Sequence, residues 1–285
     1  MTIAYLIQVY KNSEQIKSLI SCLLNNDKHH GFIHVDKKNE DLYQALRRKY
    51  ANHQQVHIIE DRVIVNWSGF SQVEATLLLM RNVHCSNIRF DRIQLMSGED
   101  FPVKSSSFMN TFFEKNRDKE FIAYEDIRDF RWRILRYNFF SENIHNRNIV
   151  IRILQKIIRE LQQKILPERK ILKKFALYKG SSWFNLSIEA MEYILNYIDN
   201  HQDFLDQFRY SVCGDEHFFQ VVLLNSEFKK NVINNNLYYM EWEKGKNSPN
   251  YLSKQALQRL NSVPDILFAR KVSEDLVIEL SKKSR

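Results

Sequence analysis

Residues 2–9 read Thr-Ile-Ala-Tyr-Leu-Ile-Gln-Val, a run rich in β-forming side chains that predicts a buried strand near the start of the chain. Ser13 can cap a following helix, and Gly31-Phe-Ile-His-Val predicts a second strand that ends at Asp36. The alternation continues with predicted helices at 40–49 and 71–85 and predicted strands at 56–59 and 90–96. This β-α-β-α-β-α-β order predicts an α/β fold, with a mainly parallel central sheet flanked by helices.

The carboxyl ends of these strands are where a ligand is expected, because open parallel sheets bind ligands beyond that edge. Asp36, the loop 65–69 and the loop 97–100 all fall there. His34 and Asp36 have a simpler interpretation, in which the histidine bonds to backbone and the aspartate caps a turn. Their position at the ligand edge is what favours a functional role.

The composition limits the class of partner. The chain has 285 residues, is 44% hydrophobic and carries a net charge of +8, which suits nucleotide diphosphates, anionic lipid headgroups or nucleic acid. No nucleic-acid-binding motif accompanies the charge, so no nucleic-acid partner is predicted. The three separated cysteines, the lack of a signal peptide and the lack of an apolar stretch of about 18 residues favour a cytoplasmic protein.

An acidic turn reads Cys213-Gly214-Asp215-Glu216-His217 and runs directly into the apolar residues 218–224. This order places a carboxylate at the mouth of a helix or strand, where a general base is often held. The equally good alternative is a plain first-turn acid stabilised by the helix dipole. Upstream, Gly180-Ser181-Ser182-Trp183 is either a simple turn or a floor of small residues beneath a substrate.

Arg270 and Lys271 form a basic pair that would ordinarily be solvated surface. The chain has no Asp-x-Asp, the carboxylate pair that commonly holds a divalent ion on a sugar diphosphate. Without such a pair, arginine or lysine can neutralise a departing diphosphate.

The middle of the chain contains a predicted helix over 149–166. Ile151, Leu154, Ile158, Leu161 and Ile165 fall on one side, with basic residues mostly elsewhere. This pattern favours packing against the core. The alternative is a basic amphipathic helix that lies on an anionic membrane.

The ordered set of motifs resembles glycosyltransferase family 14, the core-2/I-branching β-1,6-N-acetylglucosaminyltransferases and their xylosyltransferase relatives. The matching pieces cover nearly the whole chain and are 4–7, 34–36, 65–75, 98–102, 180–186, Asp215-Glu216 and 267–271. The resemblance implies a variant GT-A fold, an inverting mechanism, a UDP-sugar donor, a glycan or lipid-linked glycan acceptor, and neither a cofactor nor a required metal. The resemblance implies a bacterial member of the family, expected to be without the stem and membrane anchor of the animal enzymes.

The family's site residues can be placed on this chain one at a time. The resemblance implies that Glu216 is the catalytic base. It also implies that Lys271 holds the diphosphate, with Arg270 beside it, and that Asp36 and Trp67 contact the donor. The family's animal members hold the diphosphate with an arginine before the last helix. The only basic residues of the comparable stretch 244–249 are lysines, so Lys246 or Arg270 is expected to take the place of that arginine. The expected acceptor-binding residues are Glu99, Asp100, Ser182, Trp183 and Trp242.

These observations predict one glycosyltransferase domain over 1–285, with a nucleotide-binding half (1–110), a helical insertion (111–170) and an acceptor and catalytic half (171–285). The predicted activity is metal-independent, inverting transfer of a GlcNAc-like or xylose-like sugar to a hydroxyl of a bacterial surface glycan. The protein is also predicted to contact the inner face of the cell membrane peripherally. The alternative is a non-catalytic membrane- or polyanion-binding protein on a degenerate transferase fold.

Overall fold

The structure, a computed structural model, describes residues 1–11, 13–143, 145, 148–166, 168–169, 172–246 and 248–282. Its strands are β1 (Ile3–Val9), β2 (His30–Val35), β3 (Val56–Ile58), β4 (Arg92–Ser97), β5 (Asp100–Pro102), β6 (Glu120–Ile122), β7 (Glu125–Asp126), β8 (Tyr178–Lys179), β9 (Phe184–Ser187), β10 (Val232–Ile233), β11 (Tyr238–Met240) and β12 (Phe268–Arg270). Its helices are α1 (Ser13–Leu23), α2 (Glu40–Tyr50), α3 (Ser71–His84), α4 (Ser106–Lys115), α5 (Arg131–Leu135), α6 (Ile149–Ile165), α7 (Ile188–Asn200), α8 (Gln202–Phe208), α9 (Phe218–Leu224), α10 (Lys254–Leu260) and α11 (Glu274–Ser281).

The main sheet has seven strands in the order β10-β6-β9-β4-β1-β2-β3. β1 lies between β2 and β4 and is parallel to both, with Ile7 opposite Ile33 on one side and Met96 on the other. β3 continues the parallel arrangement, whereas β9 runs antiparallel to β4 and β6. The predicted α/β fold with a mainly parallel central sheet flanked by helices is confirmed.

Both faces of this sheet are buried, because successive side chains of a strand point to opposite faces. On β1, Ala4 and Leu6 join an apolar cluster with α3, α7 and α9. Ile3, Tyr5 and Ile7 join a second cluster with α1, α2 and α4. The nearly continuous apolar run of β1 follows from this two-sided packing, which is typical of parallel sheets.

A second, three-stranded sheet has the order β11-β12-β5. The local sequence pattern predicts neither β11 nor β12. β12 pairs in parallel with β11 and antiparallel with β5, and the rings of Tyr238 and Phe268 stack at 5.3 Å. This sheet places Arg270 opposite Asp100, so the basic pair of the tail reaches the loop that follows β4.

Helix α6 forms nearly as predicted, but the expected packing of its apolar side against the core is wrong. Of the apolar residues predicted to pack, Leu154, Leu161 and Ile165 are exposed, Ile151 and Ile158 are half-buried, and Gln162 is the one buried residue of the helix. The Gln162 side chain accepts from the backbone N–H of Tyr137 at 2.9 Å and donates to the Tyr137 carbonyl at 2.7 Å. The side of α6 that carries Gln162, with Ile151 and Ile158 beside it, therefore attaches the helix to the protein.

The division of the chain at residues 110 and 170 stays a prediction. Among the helices of the described residues, none is long and apolar enough to cross a membrane.

Candidate active site

A cleft of about 1740 Å³ opens at the carboxyl edge of the main sheet. The ends of β1, β2 and β4 form one wall, and the segment 179–183, the acidic turn and the end of β12 contribute to the rest. The structure brings nine of the ten predicted site residues to its lining, namely Asp36, Trp67, Glu99, Ser182, Trp183, Glu216, Trp242, Arg270 and Lys271. Asp100 is the exception.

The acidic turn is a short 3-10 segment, Gly214–Glu216, that leads into α9. Cys213, not the glycine, takes the left-handed backbone conformation that starts it, with φ 52°. The N–H of Gly180 donates to the Glu216 carbonyl at 2.8 Å. A Cβ on Gly180 would lie 1.8 Å from the carbonyl oxygen of Ala123, so only glycine allows this close approach. Two motifs that are distant in sequence thus form one wall.

The two carboxylates of the turn have different environments. Arg133 Nη1 donates to Glu216 Oε2 at 2.8 Å, and Glu216 Oε1 has no hydrogen-bond partner within the described part of the chain. Ser182 Oγ donates to Asp215 Oδ2 at 2.5 Å. Burial, and then the neighbouring Glu216 carboxylate, raise the pKa of Asp215. Glu216 therefore has an oxygen available in the cleft, while Asp215 is held by Ser182.

Glu99 is the centre of a cationic cluster on the other side of the site. Its carboxylate lies 3.3 Å from Lys271 Nζ and 3.1 Å from Lys11 Nζ, and it accepts from the Tyr251 hydroxyl at 2.6 Å. Burial would raise the pKa of Glu99, but the Tyr251 hydrogen bond, Lys271 and Lys11 outweigh it and lower the pKa to about 2. Glu99 therefore holds two lysines at the cleft wall, and its acceptor contact stays a prediction.

Arg270 is fixed by three neighbours. It donates to Asp100 Oδ1 at 2.6 Å and to the Ser97 hydroxyl, and its guanidinium lies 4.6 Å from the Trp183 ring centre. Asp100 is fully buried and also accepts from the Ser97 N–H at 2.7 Å and the Tyr238 hydroxyl at 3.1 Å. The prediction that Asp100 binds acceptor is corrected, since its carboxylate is enclosed by these donors.

Asp36 caps a turn, as its simpler interpretation predicts, and its donor contact stays a prediction. Its carboxylate accepts from the Lys38 N–H at 3.0 Å, which caps a turn, and it pairs with Lys38 Nζ at 3.3 Å while lining the cleft. His34 follows the simpler interpretation, because its Nε2 accepts from the Val63 N–H at 3.1 Å and burial lowers its pKa to about 4.

Trp67 and Trp242 expose 43% and 60% of their surface in the cleft lining. Such rings offer apolar faces to a base or a sugar. Of the two candidates for the missing arginine, Arg270 lines the cleft. Lys246 pairs with Glu243 at 2.5 Å and is absent from that lining.

Sequence reasoning missed several residues that contact predicted site groups, among them Arg133 at Glu216 and both Lys11 and Tyr251 at Glu99. Arg133 stands in the charged and aromatic run of 125–137, but nothing in its spacing indicates a contact with Glu216. These contacts arise only when segments that are distant in sequence fold together around the cleft. The described residues bring together no group of three His, Cys, Asp or Glu side chains that could hold a metal ion.

The chain is similar in sequence to known xylosyltransferases. Xylosyltransferase 2 of Rattus norvegicus is 27% identical over 247 residues, which are 85% of this chain and 27% of that protein. The xylosyltransferase of Ciona intestinalis is 23% identical over 292 residues, covering 96% of this chain and 32% of that protein. The chain thus spans about a third or less of the length of these relatives. The solved structure of mouse xyloside xylosyltransferase 1 aligns with 85% of this chain and 88% of that chain, at 12% identity and a TM-score of 0.34.

The Core-2/I-Branching enzyme family matches residues 3–260, a range that includes the acidic turn, the segment 179–183 and the ends of β1, β2 and β4 but not the end of β12. Because the match covers most of the chain, the protein belongs to the Core-2/I-Branching enzyme family.

Proposed function

We propose that the protein is an inverting glycosyltransferase that moves a sugar from a UDP-sugar to a hydroxyl group of a glycan. The observation that carries this proposal is the position of Glu216. Its Oε1 is unpaired among the described residues, on the wall of a cleft that also contains Arg270 and Lys271. A base and a pair of cations in one cleft are the groups that transfer from a sugar diphosphate requires.

In this mechanism Glu216 acts on the acceptor. The acceptor oxygen attacks the anomeric carbon from the face opposite the diphosphate, and Glu216 takes the proton of the hydroxyl. The bond from the anomeric carbon to the diphosphate breaks, and UDP leaves with the electron pair. One displacement of this kind inverts the anomeric configuration. Arg133 holds one carboxylate oxygen of Glu216 and leaves the other for the acceptor.

Lys271 and Arg270 act on the leaving group. Negative charge grows on the diphosphate as the bond breaks, so fixed cations stabilise the transition state more than the ground state. Arg270 is already held by Asp100, and Lys271 by Glu99. We infer that this pair takes the place of a divalent ion, which agrees with the lack of Asp-x-Asp in the sequence.

The other cleft residues are assigned by position. Asp36 and Trp67, beyond β2 and before α3, are proposed for the donor nucleotide, and Trp183 and Trp242 for the acceptor. The expected donor is UDP-xylose or UDP-GlcNAc. The expected acceptor is a bacterial surface glycan.

The test is a screen of purified protein against UDP-sugars, with release of UDP as the readout and a thermal shift with UDP alone beside it. We expect UDP to raise the Tm and one donor to give turnover. A Tm that UDP raises equally in the protein and in Glu216→Gln, with no turnover on any donor, would favour the non-catalytic alternative. If UDP leaves the Tm unchanged and no donor gives turnover, the result contradicts nucleotide-sugar binding itself.

A further inference from the structure

The positive charge of the cleft is unevenly balanced. Within the described residues, seven lysine or arginine side chains line the cleft. Four of these cations pair with a carboxylate, in the pairs Lys38–Asp36, Lys179–Glu125, Arg270–Asp100 and Lys271–Glu99. The other three are Arg152, Lys156 and Arg159, and none of them forms an ion pair with a described carboxylate. All three belong to α6, so the surplus charge of the cleft is concentrated on one wall.

The orientation of α6 turns these cations toward the cleft. At about 100° per residue, Arg152, Lys156 and Arg159 fall within an arc of about 60°, which we call the α6 cleft face. Leu154 and Leu161 are exposed on the opposite side of the helix. An amphipathic helix of a globular protein ordinarily turns its apolar stripe inward and its charges to the outer solvent. The α6 cleft face is therefore not the usual solvated side of a surface helix.

The α6 cleft face lies on the same side of the site as the proposed base. The Arg159 guanidinium is 4.0 Å from the ring centre of Trp132 in α5. The next residue, Arg133, donates to the Glu216 carboxylate at 2.8 Å. In a single inverting displacement the acceptor enters beside the base, on the face of the sugar opposite the diphosphate. The cations of α6 are thus placed for the acceptor, whereas Arg270 and Lys271 are proposed for the leaving group.

The residue types on this wall fit an anionic sugar chain. Arg152 and Lys156 are exposed, and the distance along the helix axis from Arg152 to Arg159 is about 10 Å. That length lets the cations contact anionic groups on more than one sugar residue. Guanidinium groups bind carboxylate or phosphate through paired hydrogen bonds. Trp132 lines the same cleft and offers a ring face on which a sugar can stack.

We propose that the acceptor is an anionic glycan, whose carboxylate or phosphate groups bind the α6 cleft face while one of its hydroxyls meets Glu216. A neutral glycan would leave three cations of the cleft without a counter-charge. The role of the bound glycan as acceptor rests on the proposed transferase function. Its binding to α6 does not, because the charges attract an anionic chain whether or not transfer follows.

The experiment is calorimetric titration with two matched pairs of probes, in the presence of excess UDP. Trigalacturonate is compared with its fully methyl-esterified form, which has the same backbone without the charge. A phosphorylated mannotriose is compared with mannotriose, so the two pairs distinguish carboxylate from phosphate. We expect at least one charged probe to bind about tenfold more tightly than its neutral counterpart, with an advantage that shrinks at high salt.

Arg152→Gln combined with Lys156→Gln tests whether α6 supplies this preference. Both side chains are exposed, so we expect an unchanged Tm and an unchanged affinity for UDP. The affinity for the preferred charged probe should fall about fivefold or more. Lys164→Gln is the matched control, because it removes an exposed cation of the same helix outside the cleft lining, and it should keep the preference.

Equal binding of the charged and neutral members of both pairs overturns the proposal, and this comparison needs no variant. A preference that the double variant keeps, or that Lys164→Gln loses to the same extent, overturns it as well. If the double variant weakens UDP binding as much as probe binding, the α6 cations belong to the donor site and the proposal is wrong. A charged-probe preference that only the double variant loses, without turnover on any UDP-sugar, would support anionic-glycan binding and contradict the transferase function.

Discussion

The Arg133 guanidinium donates a 2.8 Å hydrogen bond to the Glu216 carboxylate, and 83 residues separate the two in sequence. The contact joins α5 to the acidic turn before α9. Arg133 also lies 4.6 Å from the Phe130 ring centre, which limits its freedom. A carboxylate held at one oxygen keeps a defined direction for the other, and this is the condition that a general base needs.

Arg133→Ala should lower kcat by about 10- to 100-fold with little change in KM, because Glu216 loses the group that orients it. Arg133→Lys should recover part of the loss, since an ammonium restores the charge without the planar geometry. Steady-state kinetics of both variants check this. Equal loss in the two variants together with a lowered Tm would indicate a purely structural role.

Lys271→Ala should lower kcat and weaken UDP binding together, because its ammonium is proposed to contact the leaving diphosphate. Losing one such charged contact typically costs about 2–4 kcal/mol. Calorimetric titration with UDP, alongside turnover, measures both effects. Lys246→Ala is the matched control, since Lys246 pairs with Glu243 outside the cleft lining. If Lys271→Ala binds UDP with unchanged affinity and Lys246→Ala binds it more weakly, the diphosphate site is at Lys246 and not at Lys271.

Arg270→Ala should disturb the site more widely than Lys271→Ala, because Asp100 would lose its cation while fully buried. Breaking a buried ion pair from one side typically costs about 3–5 kcal/mol. We therefore expect a lower Tm as well as weaker UDP binding. A variant with unchanged Tm and unchanged affinity would contradict both roles.

The pH dependence of stability should report the cluster around Glu99. Its pKa is lowered from 4.5 to about 2 in the folded protein, so its stabilising contribution is complete above about pH 4.5. As the pH falls toward 2, Glu99 takes up a proton and this contribution is lost. The difference in unfolding free energy between the protein and Glu99→Gln should shrink by about 2–3 kcal/mol over that window. A difference that stays constant with pH would contradict the ionised cluster.

Turnover should persist in EDTA, because cations of the chain are proposed to neutralise the leaving diphosphate. The measurement is the rate before and after dialysis against chelator, with Mn²⁺ added back to a parallel sample. Loss of activity that Mn²⁺ restores would assign the diphosphate to a metal site, with Asp36 and Glu99 as ligand candidates.

The secondary structure of the first hundred residues could be predicted closely, because each strand and helix there has its own pattern of apolar and turn-forming residues. The apolar run at β1 and the turn residues between elements are signals that each segment carries by itself. The same pattern predicts Asp36, Ser97 and Glu99 at the ligand edge, since strand direction fixes that edge.

The rest depended on contacts between distant segments. Asp100 and Arg270 pair across β5 and β12. Both strands are only three residues long, so the local sequence pattern does not predict the sheet that they form. The periodicity of α6 predicts the helix, but it does not fix which side of the helix packs against the protein. The amphipathic pattern shows that one side is apolar, but only the contact between Gln162 and Tyr137 shows which side meets the protein.

The most direct test of the central claim is the turnover of Glu216→Gln, which keeps the shape of the side chain and removes its basicity. We expect kcat to fall by about two orders of magnitude or more, with Tm and UDP affinity unchanged. Glu125→Gln is the matched control, a carboxylate that lines the same cleft and pairs with Lys179 at 2.9 Å, and it should retain turnover. Near-normal transfer by purified Glu216→Gln would contradict the assignment of Glu216 as the base.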